Sequence, residues 1–230
     1  SSGRKRKNNE DFFAFFETGD PQEFIQNGNL YIVADGVAGA AKGERASRYA
    51  VEKVLYEYYQ IQPNIAPKDR LRHLIQDAGN QIYQYAEREG LGKMATTMVA
   101  VIVRENKLIV AHVGDSRVYL IRNGAIEQLT RDHSLVGEMI RDGTISEEEA
   151  INSRVKNHLT RSLGGEENVY VDVTPEIDLL PGDRILLCTD GLTRYALSAD
   201  LLRLVTGVSP AQAVQDLIAF ANTKGGADNV

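Results

Sequence analysis

Three apolar runs in this chain end in an aspartate beside a glycine. Leu30-Tyr31-Ile32-Val33-Ala34 leads into Asp35-Gly36, and Ile185-Leu186-Leu187-Cys188-Thr189 leads into Asp190-Gly191. Ile109-Val110-Ala111-His112-Val113 leads into Gly114-Asp115-Ser116-Arg117, and a further aspartate, Asp228, lies near the end in Ala227-Asp228-Asn229-Val230. A single Asp-Gly is an ordinary turn. Several carboxylates at the mouths of buried strands are different, because crowded carboxylates raise each other's pKa unless cations neutralise them. Aspartate is a hard oxygen ligand, so the set points to Mg²⁺ or Mn²⁺. None of the four histidines (His73, His112, His133, His158) stands at zinc-motif spacing from another. Upstream, Glu10-Asp11 adds carboxylates, and Arg6 offers a planar fork suited to a phosphate dianion. Read alone, the basic run 4–7 is a solvated turn; beside the acidic set, phosphate capture is the stronger reading.

A second motif points elsewhere. Cys188 and Arg194 have the Cys-x5-Arg spacing of cysteine-dependent phosphatases, whose chemistry needs a thiolate cradled by loop N–H groups. Asp190 would place a negative charge inside that cradle, and no histidine precedes the cysteine. A small buried strand cysteine is the expectation.

The elements must bring these carboxylates together. The 230 residues, 43% of them hydrophobic, suffice for one large domain spanning 1–230, and no Pro/Ser/Gly-rich linker divides them. A net charge of −6 and a pI of about 5.3 argue against nucleic acid or an anionic membrane as partner. No apolar stretch reaches the ~20 residues of a membrane span, and no signal-peptide pattern is seen. One cysteine excludes an internal disulfide and fits a reducing, cytoplasmic setting, and a monomer is expected.

Strands are expected at 12–16 and 29–34, then helices at 43–59 and 67–89 with apolar stripes through Ala46, Ala50, Val54 and through Leu71, Leu74, Ile75, Ala78. The period then changes to alternation at 97–103, 107–113, 117–122 and 125–129. Glu105-Asn106 and Asn123-Gly124 are the turns of what reads as one antiparallel meander. A polar stretch, 133–157, carries one short helix with a capping box from Ser146 to Glu149. Strands follow at 169–173 and 184–188, then one helix capped by Ser198 and another opened by Ser209-Pro210. The order suggests stacked sheets with helices outside.

Taken together, Arg6-Lys7-Asn8-Asn9-Glu10-Asp11, Ala34-Asp35-Gly36, Gly43-Glu44-Arg45-Ala46-Ser47, Ala95-Thr96-Thr97, Val113-Gly114-Asp115-Ser116-Arg117, Asp132-His133-Ser134, Asp190-Gly191-Leu192 and Asp228-Asn229 resemble the metal-dependent serine/threonine phosphatases of the protein phosphatase 2C type (the PPM family), bacterial branch. The resemblance covers nearly the whole chain. It implies an α+β fold, a four-layer α-β-β-α sandwich of two antiparallel sheets flanked by helices, with a metal cluster in a cleft at one end.

Position by position, the resemblance implies that Asp35 bridges two Mn²⁺ or Mg²⁺ ions and that the Gly36 carbonyl serves one of them. Asp190 and Asp228 complete the other, Glu10 and Asp11 act directly or through water, and Asp115 with Asp190 holds a possible third ion. Arg6 binds the substrate phosphate. The activity implied is hydrolysis of phosphoserine and phosphothreonine in proteins by a metal-activated water. The partners implied are phosphorylated protein substrates and a cognate serine/threonine kinase. The segment 133–157 would be a flap beside the cleft.

Three departures qualify the match. Relatives in this branch read Asp-Gly-Met-Gly-Gly-His after the first metal strand, where this chain has Asp35-Gly36-Val37-Ala38-Gly39-Ala40, so the loop histidine is replaced. The animal-type branch has a histidine directly after Asp-Gly, where Val37 stands. The family also has a strand before Arg6 and another after Asp228-Asn229; both are clipped here, and Asp228 would then lie on a fraying end. The missing histidine keeps a second reading open, a catalytically weak or inactive module that binds phosphoproteins.

Overall fold

Strands that are apolar on both faces need cover on both sides. The computed structural model, which describes residues 1–37, 42–60 and 65–230, provides it in four layers, helices, sheet, sheet and helices. In the larger sheet β1 (Asp11–Phe16), β2 (Asn29–Asp35), β3 (Met98–Arg104), β4 (Lys107–Val113) and β7 (Asp172–Val173) lie in that order, and β8 (Ile177–Asp178) pairs with the other half of β4. The smaller sheet has the order β6 (Ala125–Gln128), β5 (Arg117–Arg122), β9 (Arg184–Cys188). Among the described residues these strands all pair antiparallel.

The period of two assigns each residue to a layer. On β3, Met98, Ala100 and Ile102 enter the core beneath α2 (Gly43–Tyr58) and α3 (Pro67–Arg88), while Val99 and Val101 enter the core between the sheets. The predicted helical stripes face the first core: Ala46, Ala50, Val54, Leu71, Leu74, Ile75 and Ala78 are buried there. On the far side, α7 (Ser198–Val205) and α8 (Pro210–Thr223) cover the smaller sheet. On β1, Phe12 and Ala14 pack toward the helices, whereas Phe13 and Phe15 point the other way and are exposed.

The expected single meander is two hairpins in different sheets. β3 pairs with β4 and β5 with β6, so the chain changes sheets at Gly114-Asp115-Ser116. Alternation reports strand character and says nothing about which sheet a strand joins. The expected strand 169–173 is ordered as a strand only at Asp172–Val173, because Val169 and Val171 pack into the helix-side core instead. A short α1 (Pro21–Gln26) was not expected, although Asp20 caps it and Pro21 opens it. Nor was α6 (Asp190–Thr193), directly after β9. Ser198 does not cap α7 but begins it, and the Asp200 carboxylate accepts the Leu197 N–H.

The polar stretch holds two helices rather than one, α4 (Leu135–Arg141) and α5 (Glu147–Ile151), and the Ser146–Glu149 capping box is present. It is closed at its base. Leu135 N–H donates to His158 O at 2.9 Å, and Thr160 N–H donates to His133 O at 2.9 Å.

Gly114 makes the sheet change possible. Its φ is +101°, and a Cβ there would lie 2.5 Å from Thr97 Cγ2 and 2.6 Å from Thr97 Cβ. Gly114→Ala therefore meets backbone strain of about 1–3 kcal/mol together with steric overlap in a packed layer. Urea unfolding of this variant is expected to show a loss of at least about 2 kcal/mol; wild-type stability would show that the crossing tolerates a side chain.

Candidate active site

The antiparallel register places Asp11, at the start of β1, directly opposite Asp35, at the end of β2. Asp115 lies in the sheet crossing, Asp190 opens α6 after β9, and Asp228 comes from the C-terminal segment. These aspartates meet in one corner, and Asp11, Asp35 and Asp115 feel the charge of neighbouring carboxylates there. Burial raises the Asp11 carboxyl to about 6, opposed by the hydrogen bond from Thr189 and helped by the fields of Asp190 and Asp228. Burial pushes Asp35 well above the ordinary carboxylate range, with Asp190, Asp11, Asp115 and Asp228 all acting in the same direction. Asp115 is raised for the same reasons, burial first, then Asp190 and Asp132.

The scaffold holds the backbone and leaves carboxylate oxygens free. Thr97 Oγ1 accepts the Asp35 N–H at 3.0 Å, Thr97 N–H returns to Asp35 O at 2.9 Å, and Thr96 Oγ1 donates to the same carbonyl at 2.8 Å. Thr97 Oγ1 also lies 2.7 Å from Ser116 Oγ, which ties the Asp35 strand end to the Asp115 crossing. Asp11 Oδ2 accepts from Thr189 Oγ1 at 2.9 Å, while Asp11 Oδ1 is buried without a hydrogen-bond partner. A buried, desolvated oxygen without a donor, among carboxylates pushed up in pKa, suits a hard divalent cation.

Other expected residues take more specific places. The Glu10 carbonyl accepts the Gly36 N–H at 3.0 Å and Ser47 Oγ at 2.6 Å, and the Glu10 side chain lies close enough to Arg6 to favour its charged form. Gly36 packs on the Gly43 backbone so closely that a Cβ would fall 2.4 Å from Gly43 C. Arg6 is engaged by the cluster itself: Nε donates to Asp228 Oδ1 at 2.8 Å and Nη2 to Asp228 Oδ2 at 3.1 Å. Asp228 does not sit on a fraying end. Arg6 and Arg194 both pair with it, and Asn229 Oδ1 accepts the Glu10 N–H at 2.8 Å while its Nδ2 donates to Asn8 O at 3.0 Å. Ala40 and the altered loop 38–41 lie outside the described residues.

The Cys-x5-Arg motif resolves into two separate roles. Cys188 is buried, and burial pushes its thiol up to about 12. Arg194 faces the carboxylates, 2.7 Å from Asp190 Oδ2 and 3.0 Å from Asp228 Oδ2. The spacing revealed the arginine but suggested the wrong chemistry for it.

The pairings of several supporting residues in the expected motifs were not legible from the sequence. Arg117 forks onto Asp132 at 2.7–3.0 Å beside the sheet crossing. His133 lies in the expected motif, yet it is buried away from solvent. Its Nδ1 accepts the Gly114 N–H at 3.1 Å, so Nε2 carries the proton toward Asp172 Oδ2 at 3.2 Å, and Arg161 Nη1 reaches Asp172 Oδ1 at 3.1 Å. His133 thus braces the crossing that carries Asp115. His112 stacks on it with ring centroids 4.8 Å apart, and burial lowers His112 to about 4. His112, His133 and Asp172 lie close enough to share an ion, but the Arg161 guanidinium already occupies the approach to His133 and Asp172. Between the acidic corner and the 133–157 lobe lies a cleft of about 370 Å³, lined by Asp115 and Asp190 on one side and Val136, Ile140 and Lys156 on the other.

A two-sheet sandwich that gathers aspartates from β1, β2, a sheet crossing, α6 and the chain end is the architecture of a metal-dependent phosphatase. The family model described as Protein phosphatase 2C matches residues 4–226, and the chain belongs to that family. It is 38% identical over 233 residues to a "Serine/threonine phosphatase stp" of Listeria innocua, covering 99% of this chain and 90% of the relative. It is 34% identical over 231 residues to "Protein phosphatase PhpP" of Streptococcus pneumoniae, covering 99% and 91%. Among solved structures, a serine/threonine phosphatase of S. agalactiae superposes with a TM-score of 0.84 at 32% identity, over 99% of this chain and 93% of that one. The catalytic domain of the phosphatase PstP, solved in complex with 2 manganese ions, superposes with a TM-score of 0.80 at 29% identity, over 99% and 91%. The expected fold class and family are borne out. Among the described residues no helix is long and apolar enough to cross a membrane.

The raised Asp11 pKa has a signed consequence for the metal-free protein. With a folded pKa near 6 against an ordinary 3.8, the folded state holds more protons in between, so stability falls as pH rises through that window. In chelator, Asp11→Asn should therefore melt above the wild type at pH 7.5, and the two should converge near pH 4. An equal difference at both pH values would contradict this electrostatic account.

Proposed function

We infer that this chain hydrolyses phosphoserine and phosphothreonine in proteins, with two Mn²⁺ or Mg²⁺ ions, and a possible third, held by the acidic corner. The observation that carries the reading is the convergence of Asp11, Asp35, Asp115, Asp190 and Asp228 around a buried, unpartnered carboxylate oxygen. Arg6 and Arg194 cannot balance that many carboxylates, so a phosphate dianion would be repelled without added cations. Asp35, Asp190 and Asp228 would hold the principal ions, with the Gly36 carbonyl, Glu10 and Asp11 completing the set and Asp115 serving a third. When bound, such ions supply Lewis acidity and lower the pKa of coordinated water.

The chain's own residues supply orientation. Arg194 fixes Asp190 and Asp228, Thr189 fixes one oxygen of Asp11, and the Thr96-Thr97 pair fixes the Asp35 backbone. Arg6 Nη1 has no hydrogen-bond partner among the described residues, which leaves an N–H edge of its fork for a phosphoryl oxygen. The attacking group is water. Cys188 is buried as a thiol, the Ser47 hydroxyl donates to Glu10 O, and the Thr97 and Ser116 hydroxyls bond each other.

A cognate kinase that installs the phosphates, a monomeric state and a cytoplasmic location belong to the same reading. The lone cysteine supports a reducing compartment. The test is release of phosphate from a phosphothreonine peptide with Mn²⁺ and with chelator. Activity should require the metal, disappear in Asp35→Asn and Asp190→Asn, and survive a thiol alkylator. Arg6→Ala should raise KM more than it lowers kcat. Full activity in chelator, or a wild-type rate in Asp190→Asn, would overturn the assignment.

A further inference from the structure

Across the surface formed by α2 and α3 runs a second concavity, about 560 Å³, on the helical layer of the larger sheet. Arg45 and Arg48 line it from α2 and Arg88 from α3, with Glu52 as the one carboxylate among its lining residues. In a chain of net charge −6 this is a local surplus of positive charge. Arg48 is partly satisfied by Glu52 at 2.8 Å and Arg88 by Glu89 at 3.0 Å, both exposed pairs that salt and competing anions readily exchange. Arg45 makes no ion pair among the described residues; its Nη2 donates to Tyr85 Oη at 3.1 Å.

Tyr85 organises the site. Arg45 and Arg88, from different helices, both lie over its ring, at 5.5 and 5.6 Å from the centroid. The ring is in contact with both guanidinium groups, and Tyr49 lines the same groove. Planar guanidinium forks suit a phosphoryl dianion, which can accept from both, and aromatic faces suit the short apolar stem that carries it.

The groove also lies at the catalytic end of the molecule. Arg45 is in the first turn of α2, whose Gly43 packs against Gly36 of the acidic corner. At its other side, Met94 belongs to the segment leading to Thr96-Thr97, which braces Asp35. One extended polypeptide could then reach both places.

We propose that this groove is a docking site for a second phosphorylated residue of the substrate polypeptide, so that the enzyme favours multiply phosphorylated segments. The proposal rests on the phosphatase reading, and the experiment separates the two. First, in chelator, where no turnover is required, a fluorescently labelled peptide with two phosphothreonines is titrated against wild type and against Arg45→Gln/Arg88→Gln. These residues are on the surface, and a melting curve checks that the variant remains folded. Wild type should bind about tenfold more tightly than the variant, with salt weakening the wild-type interaction, and a peptide with glutamates in place of phosphothreonines should bind less well. Equal binding by wild type and variant, or equal binding of the glutamate peptide, overturns the proposal whether or not the protein is a phosphatase.

Second, with Mn²⁺, the variant should lose the KM advantage of the doubly over the singly phosphorylated peptide while its kcat/KM for an aryl phosphate stays at the wild-type value. An unchanged KM ratio contradicts the proposed site. Failure of every substrate to turn over, with peptide binding intact, contradicts the phosphatase reading alone.

Discussion

Carboxylates from separate segments of the chain are pressed into one desolvated corner, and their mutual repulsion is the constraint that the surrounding structure answers. Asp35 feels the charge of Asp190, Asp11, Asp115 and Asp228 in addition to its own burial. Left unbalanced, such a cluster would protonate or pull apart. Arg6 and Arg194 neutralise part of it by bonding Asp228 and Asp190, and rigid elements hold the rest in place. The site therefore sets a large local penalty against a fold stabilised elsewhere, in the cores beneath the helices and between the sheets.

The positioning is a property of the topology. Antiparallel pairing brings the start of β1 to the end of β2, so Asp11 meets Asp35 without any loop of special shape. The sheet crossing at 114–116 places Asp115 between the two sheets, and β9 delivers Asp190 at the start of α6. Hydrogen bonds link these contributions: Thr97 touches both Asp35 and Ser116, Thr189 touches Asp11, and His133 holds the Gly114 N–H. Gly191 lets the final segment approach, since a Cβ there would fall 1.8 Å from Asn229 O. A change at any of these supports reaches the carboxylates through at most a few bonds.

Much of this was legible in the sequence because local periodicity and the site coincide. Apolar alternation ending in Asp-Gly marks both a strand and the residue at its mouth, so the aspartates and most strands were found together. What remained hidden depends on contacts distant along the chain. Alternation could not show that β4 and β5 belong to different sheets, since both hairpins have the same local pattern. Arg194 stood out only in a misleading motif; its role appears when Asp228, far along the chain, arrives beside Asp190. The His133–Asp172–Arg161 set is likewise assembled by the pairing of β7 with β4. Val169 shows the converse, a β-branched residue in an expected strand whose side chain is taken up by the helix-side core.

The central claim is that the crowded carboxylates are proton-holding ligands waiting to exchange protons for divalent cations. The most direct test is the number of protons released per Mn²⁺ bound, measured by titration calorimetry in buffers of different ionisation heat. Because Asp11 is raised to about 6 and Asp35 well above the ordinary range, binding at pH 6 should release protons, and the release should be smaller at pH 8 and smaller again in Asp35→Asn. Saturable Mn²⁺ binding with the same proton release at both pH values, unaffected by Asp35→Asn, would contradict the account.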